Sequence, residues 1–363
     1  MGPLVPLGCE LPQVLPLHRR FPGTSELGSL TIARLPTPVE RIDTGLGLAQ
    51  GVGELWVKRD DVTALEYGGN KVRKLEFLLA RALQDGARSI ITFGALGSNH
   101  VLATSVHGRA LGLDVHAVLT PQARTSYLAS NVASDLAAGA VLHPAASFEA
   151  APRVAVGVRS ELRERDGVEP FIIPFGGTCP ESDAAYVNAA CELAEQVSAG
   201  LVPEPDLAYV PLGSAGTSVG LAVGFAAAGL ATTVVAVRVV PEAVANEASL
   251  REVVDGAVGV LRGLDESFPA LTLDDLDLEV RHEFFGSGYA VPTPECREAV
   301  RIAGQAALGL ETTYTGKSLA AMRADAASGR LADKTVLFWN TYNSRPLRAT
   351  AEMLPDELEP YVL

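Results

Sequence analysis

Lysine is scarce in this chain, and one lysine follows a pair of glycines. The 363 residues contain five lysines: Lys58, Lys71, Lys74, Lys317 and Lys334. Lys71 ends the segment 66–71 (E-Y-G-G-N-K), whose two glycines let the backbone approach a ligand closely. It also begins a predicted helix, where the helix dipole disfavours an ammonium and lowers its pKa. The turn predicts an amine that acts as nucleophile or base, and an ordinary surface lysine is the alternative.

A second turn offers hydrogen-bond donors at the start of a helix. Ser98, Asn99 and His100 open a predicted helix, so side chains and free backbone N–H groups can converge there on a carboxylate. The alternative is a simple N-cap, in which Ser98 or Asn99 satisfies backbone amides without any ligand. His107 lies two helical turns from His100, but a metal site needs more ligands, and we interpret His107 as a packing residue.

A third turn is rich in glycine and small hydroxyl residues. It lies between a predicted strand and an apolar helix and consists of Gly213, Ser214, Ala215, Gly216 and Thr217. Turns of this kind bind phosphate through their backbone amides. The glycine spacing is not that of a dinucleotide-binding turn. A close contact between helix and sheet, which also requires small residues, is the alternative.

The third turn overlaps a motif of serine hydrolases. Residues 216–220 match G-x-S-x-G, with Ser218 as a possible nucleophile and His282 as a conceivable base. A nucleophile elbow requires its serine at the tip of a sharp turn directly after the strand. Ser218 comes seven residues after Pro211 and is predicted to lie inside the helix, which disfavours this function.

Strands that alternate with helices position the three turns. The predicted strands cover 54–58, 89–93, 115–119, 140–143, 171–174, 207–211, 232–240 and 335–339. The predicted helices cover 71–84, 98–111, 126–138, 148–165, 181–199, 244–262, 293–308 and 316–328, with a further helix from the third turn to 228. This alternation predicts an α/β fold with mainly parallel sheets that helices cover on both faces. Residues 1–50 are predicted to be irregular, and the tail after Pro346 is predicted to be a surface segment.

The composition argues against several classes of protein. With 29 basic and 43 acidic residues the net charge is −14, so we expect no nucleic-acid partner. No apolar stretch of about 18 residues lacks charge or glycine, so we expect no membrane span. The cysteines Cys9, Cys179, Cys191 and Cys296 form no C-x-x-C pair and no metal-ligand set, and we expect small buried thiols and no metal. The segment 1–22 lacks the features of a secretory signal, which predicts a cytoplasmic protein.

In this order, the motifs resemble those of pyridoxal-phosphate (PLP) enzymes of the D-cysteine desulfhydrase and 1-aminocyclopropane-1-carboxylate (ACC) deaminase family. The resemblance runs from about Leu35 to Thr341. The matching segments are L-P-T-P at 35–38, V-K-R-D-D at 57–61, G-G-N-K-V-R-K-L-E-F-L-L-A at 68–80, G-S-N-H at 97–100, P-F-G-G-T at 174–178, G-S-A-G-T at 213–217, G-Y at 288–289, P-T-P-E at 292–295 and Y-T-G-K-S at 314–318.

The resemblance implies the two-domain fold that is called type II among PLP enzymes. A smaller α/β domain would be inserted at 75–170, and a larger cofactor-binding domain would be built from 1–74 and 171–363. The resemblance also implies PLP as the cofactor, a small amino acid as the substrate and a homodimer as the assembly.

The resemblance assigns roles to the residues of the three turns. Lys71 matches the lysine that binds the cofactor covalently. Asn70 and Lys74 match positions near the cofactor phosphate, and the turn 213–217 matches the loop whose amides hold that phosphate. The segment 98–100 matches the residues that receive the substrate carboxylate and contact the cofactor ring oxygen.

Further matches concern the reaction itself. Tyr289 and Tyr314 match two active-site tyrosines, and Thr315 matches the partner of the pyridine nitrogen. His100 and Thr315 favour the desulfhydrase branch, because ACC deaminases typically carry Gln and Glu at these positions. A hydroxyl partner makes the cofactor a weaker electron sink than a carboxylate does, which suffices to expel a good leaving group such as sulfide.

The reaction that the resemblance implies is that of a lyase. Lys71 would remove the Cα proton of D-cysteine or a related β-substituted amino acid, and Tyr289 or Tyr314 would protonate the leaving group. Pyruvate and ammonia would be the other products. ACC deamination, or another PLP reaction on the same scaffold, is the alternative.

The chain also departs from the family pattern. Residues 340–343 are N-T-Y-N where the family usually has H-T-G-G, and we expect Tyr342 and Asn343 to place bulk close to the cofactor ring. Ala215 replaces a glycine of the phosphate loop, and Cys179 follows Gly-Gly-Thr unusually. These departures leave the exact substrate open.

Overall fold

The computed structural model describes residues 14–43 and 47–363. Cys9 and most of the segment 1–22, for which we expected no secretory signal, lie outside the described residues. Cys179, Cys191 and Cys296 are free thiols, and the last two are buried. No helix in the described ranges is long and apolar enough to span a bilayer.

Ten strands and ten α-helices alternate along the described chain. The strands are β1 (Val39–Ile42), β2 (Glu54–Lys58), β3 (Ser89–Ala95), β4 (Asp114–Thr120), β5 (Val141–Pro144), β6 (Phe171–Ile173), β7 (Leu207–Leu212), β8 (Thr233–Arg238), β9 (Leu278–Arg281) and β10 (Thr335–Trp339). The helices are α1 (Pro16–Arg20), α2 (Lys71–Gln84), α3 (Asn99–Ala110), α4 (Leu128–Ala137), α5 (Ala151–Asp166), α6 (Pro180–Ser198), α7 (Gly216–Ala228), α8 (Glu247–Leu264), α9 (Pro294–Gln305) and α10 (Thr315–Ala327). The predicted α/β fold is confirmed, and the bounds of each predicted element differ from the observed ones by at most three residues.

The strands form two sheets. The larger sheet has the order β1-β2-β10-β7-β8-β9, and all its pairs are parallel except β1 with β2. Helices α6, α7 and α8 cover one of its faces, and α9 and α10 cover the other. The smaller sheet has the order β5-β4-β3-β6 and is parallel throughout. It uses residues 89–173, three residues past the end of the segment expected to be inserted, and the division into domains stays a prediction.

The sequence did not predict two of the strands, β1 and β9, and both lie at the edges of the larger sheet. The prediction that residues 1–50 are irregular is wrong for β1, which pairs with β2, and also for the short helix α1. No strand was predicted over β9. Edge strands are short and leave polar side chains in solvent, so the apolar pattern that reveals central strands is weak in them.

The C-terminal tail is more than the surface segment that the sequence predicted. Leu354 and Leu358 are buried in the core of the smaller sheet, together with residues of β4 and α4. Val362 forms a β-bridge to Gln122, just beyond the end of β4. The apolar residues of this acidic, proline-bearing tail are too widely spaced to reveal their burial in a sequence pattern.

A buried network of charges joins α2 to α6 and to β2. Arg73 on α2 binds Asp60 at 2.7 Å and Glu192 at 2.9 Å. Lys58 on β2 binds the same Glu192 at 2.5 Å. Burial by itself would raise the pKa of Glu192, but Arg73 and Lys58 lower that pKa to about 2. Because an unpaired charge is very costly in such a place, the four residues fix where α2 begins.

We predict that removing one member of this network destabilises the protein strongly. Glu192→Ala leaves Lys58 and Arg73 short of an anion in the interior, and should lower the free energy of unfolding by about 3–5 kcal/mol in urea titrations. Glu195→Ala is the matched control on the same helix, because Glu195 pairs with Arg19 at the surface. That variant should lose less than about 1 kcal/mol. Equal losses in the two variants would contradict the structural role of the network.

Candidate active site

The lysine turn and the third, glycine-rich turn meet at a third chain segment. Lys71 is the first residue of α2, and its Nζ donates a hydrogen bond to the carbonyl of Gly176 at 3.1 Å. Gly176 has a φ of 65°, and a side chain there would collide with Ser214 and come within 3.5 Å of the Lys71 Nζ. The Lys71 amine therefore lies beside the turn 213–217, as the sequence predicted for a covalently bound cofactor.

The Lys71 amine is only weakly basic. Burial is the largest cause, and the neighbouring charge of Lys74 adds to it, so that the pKa falls to about 7 although Asp183 opposes the shift. The sequence predicts a lower pKa for Lys71, but from the helix start and not from burial. At neutral pH a large fraction of Lys71 is therefore the free amine, which is the form that acts as nucleophile or base.

Polar side chains surround the turn 213–217. The Asn70 Nδ2 donates to the Thr217 Oγ1 at 3.0 Å. The Lys74 Nζ donates to the Thr178 Oγ1 at 2.9 Å, and the Thr178 and Ser214 hydroxyls lie 2.6 Å apart. The turn leads directly into α7, whose first backbone amides have no partner inside the helix. A cation, an amide, three hydroxyls and a helix N-terminus form a donor set that suits a phosphate group.

The sequence assigned no role to two residues next to this donor set or within it. The Thr178 hydroxyl bonds to both Lys74 and Ser214. Asp183 on α6 binds the Lys74 ammonium at 2.9 Å. A side chain at Gly216 would collide with both Asp183 and Lys74, so this glycine is required by a close approach.

Ala215 adopts a backbone conformation that L-residues avoid. Its φ is 67° and its ψ is −32°, directly before α7 begins. The family pattern has glycine here, and glycine alone adopts positive φ without steric cost. The substitution therefore leaves the shape of the turn intact and stores strain in it.

The second turn lies at the end of β3. Ser98 is the N-cap of α3, and its Oγ accepts a hydrogen bond from the Val101 amide at 3.3 Å, so the capping alternative also holds. The Asn99 Oδ1 accepts from the Asn131 Nδ2 at 3.0 Å. Both Ser98 and Asn99 stay partly exposed.

The two histidines of α3 are buried. His100 bonds the Thr92 hydroxyl at 3.0 Å, and a side chain at Gly177 would lie 3.0 Å from its ring. Burial, with smaller contributions from Lys71 and Lys74, lowers the pKa of His100 well below its usual value, so the ring is neutral. His107 bonds the Tyr67 carbonyl at 2.9 Å, which confirms it as a packing residue.

Two tyrosines face each other next to the turn 213–217. The Tyr289 and Tyr314 hydroxyls lie 2.6 Å apart, and a side chain at Gly213 would be 3.3 Å from the Tyr314 ring. Burial raises the pKa of both, that of Tyr289 to about 12. Both phenols are therefore protonated at neutral pH and can donate a proton.

Thr315 follows Tyr314 at the start of α10 and is bonded to a buried carboxylate. The Glu311 side chain accepts from the backbone amides of Tyr314 at 2.8 Å and Thr315 at 2.9 Å. The Thr315 hydroxyl accepts from the Glu311 amide at 3.0 Å. Burial raises the pKa of Glu311. The sequence did not predict this role of Glu311, and an acid just before a helix start is the signal that identifies it.

The unusual segment 340–343 is hydrogen-bonded to the turn that precedes Lys71. Asn343 accepts from the Gly68 amide at 2.7 Å, so its side chain bonds to the turn that precedes Lys71. The expectation that Tyr342 and Asn343 place bulk close to the cofactor ring stays a prediction. The Tyr342 ring lies 6.4 Å from that of Tyr127, whose hydroxyl is 2.5 Å from the Thr313 Oγ1.

The serine-hydrolase alternative is wrong. Ser218 lies inside α7 and is completely buried. Its hydroxyl donates to the Ala215 carbonyl at 3.1 Å, as a serine inside a helix commonly does. His282, the conceivable base, directly follows β9 and is exposed. No substrate can reach the Ser218 hydroxyl.

Residues 30–341 match the model of the pyridoxal-phosphate dependent enzyme family. The chain belongs to this family. Nocardicin C-9′ epimerase from Nocardia uniformis subsp. tsuyamanensis is 34% identical over 344 residues, which cover 93% of this chain and 100% of that protein. The protein is thus a PLP-dependent enzyme with the type II fold.

Solved structures agree with this assignment. A crystal structure described as an ACC deaminase homologue has a TM-score of 0.74 and 28% identity, and the match covers 92% of this chain and 95% of that chain. The processed form of threonine deaminase isoform 2 from Solanum lycopersicum has a TM-score of 0.59 and covers 94% of this chain and 87% of that chain. At 16% identity the second structure shows the fold alone.

The residues present fit PLP. Lys71 supplies the free amine that the aldehyde group requires, and the donors around Gly213–Thr217 suit the phosphate. Thr315, which the resemblance matches to the partner of the pyridine nitrogen, is buried, and its hydroxyl is bonded to Glu311. When bound, the cofactor supplies a ring that accepts negative charge from the α carbon of an amino acid.

We predict that covalent attachment of PLP to the apoprotein depends on pH through Lys71. Only the neutral amine attacks an aldehyde, so the initial rate of borohydride-reducible attachment should rise as pH increases through about 7 and then level off. An ordinary lysine would give a rate that keeps rising toward about pH 10. Lys71→Ala provides the background rate, and a curve of the ordinary kind would contradict the weak basicity.

We also predict that Ala215→Gly costs little stability although Ala215 is buried. Relief of the positive φ gains about 1–2 kcal/mol, whereas the freedom of glycine in the unfolded chain removes about 0.5–1 kcal/mol and the loss of a buried methyl group about 0.8 kcal/mol. Ala226→Gly is the control in the regular part of α7 and should lose about 1 kcal/mol in the same urea titration. A loss in Ala215→Gly as large as that in the control would show that the turn carries no strain.

Proposed function

We propose that this enzyme eliminates the β-substituent of D-cysteine or a related β-substituted amino acid, and that water hydrolyses the released enamine to pyruvate and ammonia. The observation that carries the proposal is the combination of a weakly basic Lys71 with the protonated pair Tyr289 and Tyr314 around one turn. Elimination needs both functions, because a base must take the Cα proton and an acid must protonate the departing sulfur.

Each side chain has a distinct task in this proposal. Lys71 holds the cofactor at rest and accepts the Cα proton once its amine is free. Tyr314, whose ring lies against Gly213, donates a proton to the leaving group, and Tyr289 supports it through the 2.6 Å hydroxyl contact. Ser98 and Asn99, partly exposed at the start of α3, receive the substrate carboxylate.

Thr315 supports elimination of a good leaving group. A hydroxyl holds the pyridine nitrogen protonated less firmly than a carboxylate does, so the ring accepts negative charge less strongly. Expelling sulfide requires less assistance from the ring than opening a carbon ring does. ACC deamination is the alternative within the same family. The 28% identity to an ACC deaminase homologue is the reason to assay this reaction as well. It would yield 2-oxobutanoate and ammonia.

A second candidate is inversion of configuration at Cα. It is favoured by the 34% identity, over the full length of that protein, to nocardicin C-9′ epimerase. Lys71 would take the proton in the same way, and a protonated group on the opposite side of the α carbon would return one.

We further propose, by analogy with the family, that the enzyme is a cytoplasmic homodimer. Gel filtration with light scattering would test the dimeric state.

A substrate panel separates these reactions. The holoenzyme should release pyruvate and sulfide from D-cysteine, and Lys71→Ala should lose both this activity and the borohydride-sensitive visible band. Release of 2-oxobutanoate from the cyclopropane amino acid would select ACC deamination instead. Chiral chromatography in D₂O that shows inverted, deuterated amino acid without keto acid would establish epimerisation and overturn elimination.

The role of Tyr314 can be tested by the choice of leaving group. Tyr314→Phe should lower pyruvate release from D-cysteine by about 100-fold or more, because sulfide must be protonated as it leaves. Chloride needs no proton, so the same variant should process β-chloro-D-alanine within a few-fold of the wild-type rate. Equal losses with the two substrates would show that Tyr314 is not the acid.

A further inference from the structure

The segment 97–99, at the end of β3, is held by two side chains from other elements. The Gly97 amide donates to the Gln122 Oε1 at 3.1 Å. The Gly97 carbonyl accepts from the Asn131 Nδ2 at 2.8 Å. Gln122 follows β4 and Asn131 lies on α4, and both side chains are almost completely buried, with 2% and 1% exposed. Two carboxamides thus bond to both backbone polar groups of the residue that precedes Ser98.

Asn131 also sets the orientation of the neighbouring Asn99. Its Nδ2 donates to the Asn99 Oδ1 at 3.0 Å, so this oxygen is already in use. Rotating the Asn99 amide by half a turn would bring two NH₂ groups against each other, and two donors cannot bond. The Asn99 NH₂ group is therefore the end that faces away from Asn131. The end of this partly exposed amide that is turned away from Asn131 is therefore a hydrogen-bond donor to a ligand.

Gln122 is fixed in turn by the C-terminal tail. Its backbone amide donates to the Tyr361 carbonyl at 3.2 Å, and its carbonyl accepts from the Leu363 amide at 2.9 Å. The side chain then fills the space next to Gly97, where an added Cβ would lie 3.0 Å from the Gln122 Nε2. The tail, Gln122 and the segment 97–99 form one continuous hydrogen-bonded path.

We infer that Asn131 and Gln122 are positioning residues for ligand binding, and that Asn131 makes Asn99 a dedicated hydrogen-bond donor to an anionic oxygen. The inference rests on the proposed function only in naming the ligand, which is an amino acid bound together with the cofactor. The anionic oxygen belongs either to the substrate carboxylate or to the cofactor ring. Binding and spectra distinguish the two sources.

Asn131→Asp is the decisive variant. A carboxylate has the same shape but no donor, so it repels the Gly97 carbonyl and attracts the NH₂ group of Asn99 away from the ligand. Binding is measured in the holoenzyme as the change of the visible cofactor band on titration with amino acids, which requires no turnover. The dissociation constant should rise about 10- to 100-fold, as expected for the loss of a hydrogen bond to a charged group.

The two sources of the oxygen give different results. If Asn99 donates to the substrate carboxylate, the variant should weaken binding of D-alanine, which has no leaving group to eliminate, but not of ethylamine, which lacks the carboxylate. If Asn99 donates to the cofactor ring, the pH at which the visible band of the unliganded holoenzyme titrates should shift in Asn131→Asp. In both cases KM should change more than kcat.

Three further variants guard against a purely structural effect. Gln122→Glu keeps an oxygen that accepts from Gly97 and should retain binding within about threefold, whereas Gln122→Ala should weaken it. Ser134→Ala lies on the same helix as Asn131 but bonds the tail at Ala349, and should leave the dissociation constants unchanged. If Asn131→Asp does not fold, the comparison of Gln122→Ala with Gln122→Glu still tests whether these side chains position the segment 97–99 for ligand binding.

The result that would overturn the inference is specific. It is a folded Asn131→Asp enzyme with wild-type dissociation constants for amino acids and an unshifted pH titration of the visible band, or Gln122→Ala and Gln122→Glu that bind equally. Failure of the proposed function would differ, because the wild-type enzyme would then bind amino acids without eliminating sulfide.

Discussion

The burial of two cations and two anions between β2, α2 and α6 is the constraint on which the site depends. Arg73, enclosed by Asp60 and Glu192, lies two residues after Lys71, and Lys74 follows it at once. Because these charges are stable only when paired, α2 can begin in one place and with one rotation about its axis. The Lys71 side chain is thereby directed at Gly176, and the Lys74 side chain at the phosphate-type donors.

Around this fixed helix the site is built from the loops that follow parallel strands. The turn after β7 supplies the amides of α7, the turn after β3 supplies Ser98 and Asn99, and the segment after β6 supplies Gly176. These loops meet because the carboxyl ends of the strands in each sheet lie at the same edge. Helix α2 packs against both α3 and α6, so one helix links the two sheets at the site.

The sequence predicted what is local and missed what depends on distant contacts. The three turns and the Lys71 amine could be identified, because glycines, small hydroxyl residues and helix starts lie side by side in the chain. The neighbours Asn70 and Lys74 came only from the resemblance to PLP enzymes. Asp183 could not, since it meets Lys74 across 109 positions. The sequence also did not reveal why the pKa of Lys71 is low, because burial is a property of the assembled fold.

The C-terminal tail has a mechanical consequence for the relation between the two sheets. The chain already passes between them at α2 and again between β6 and α6, and these two crossings lie close together at the site. The tail adds a third crossing, from β10 in the larger sheet to α4 and the end of β4 in the smaller one, where Ser130, Ser134 and Gln122 hold it. Two chain crossings that lie side by side can act as a hinge, and a third connection between the sheets limits the arc through which such a hinge can swing. In this enzyme the smaller sheet cannot tilt outward without stretching or peeling off its own C-terminus.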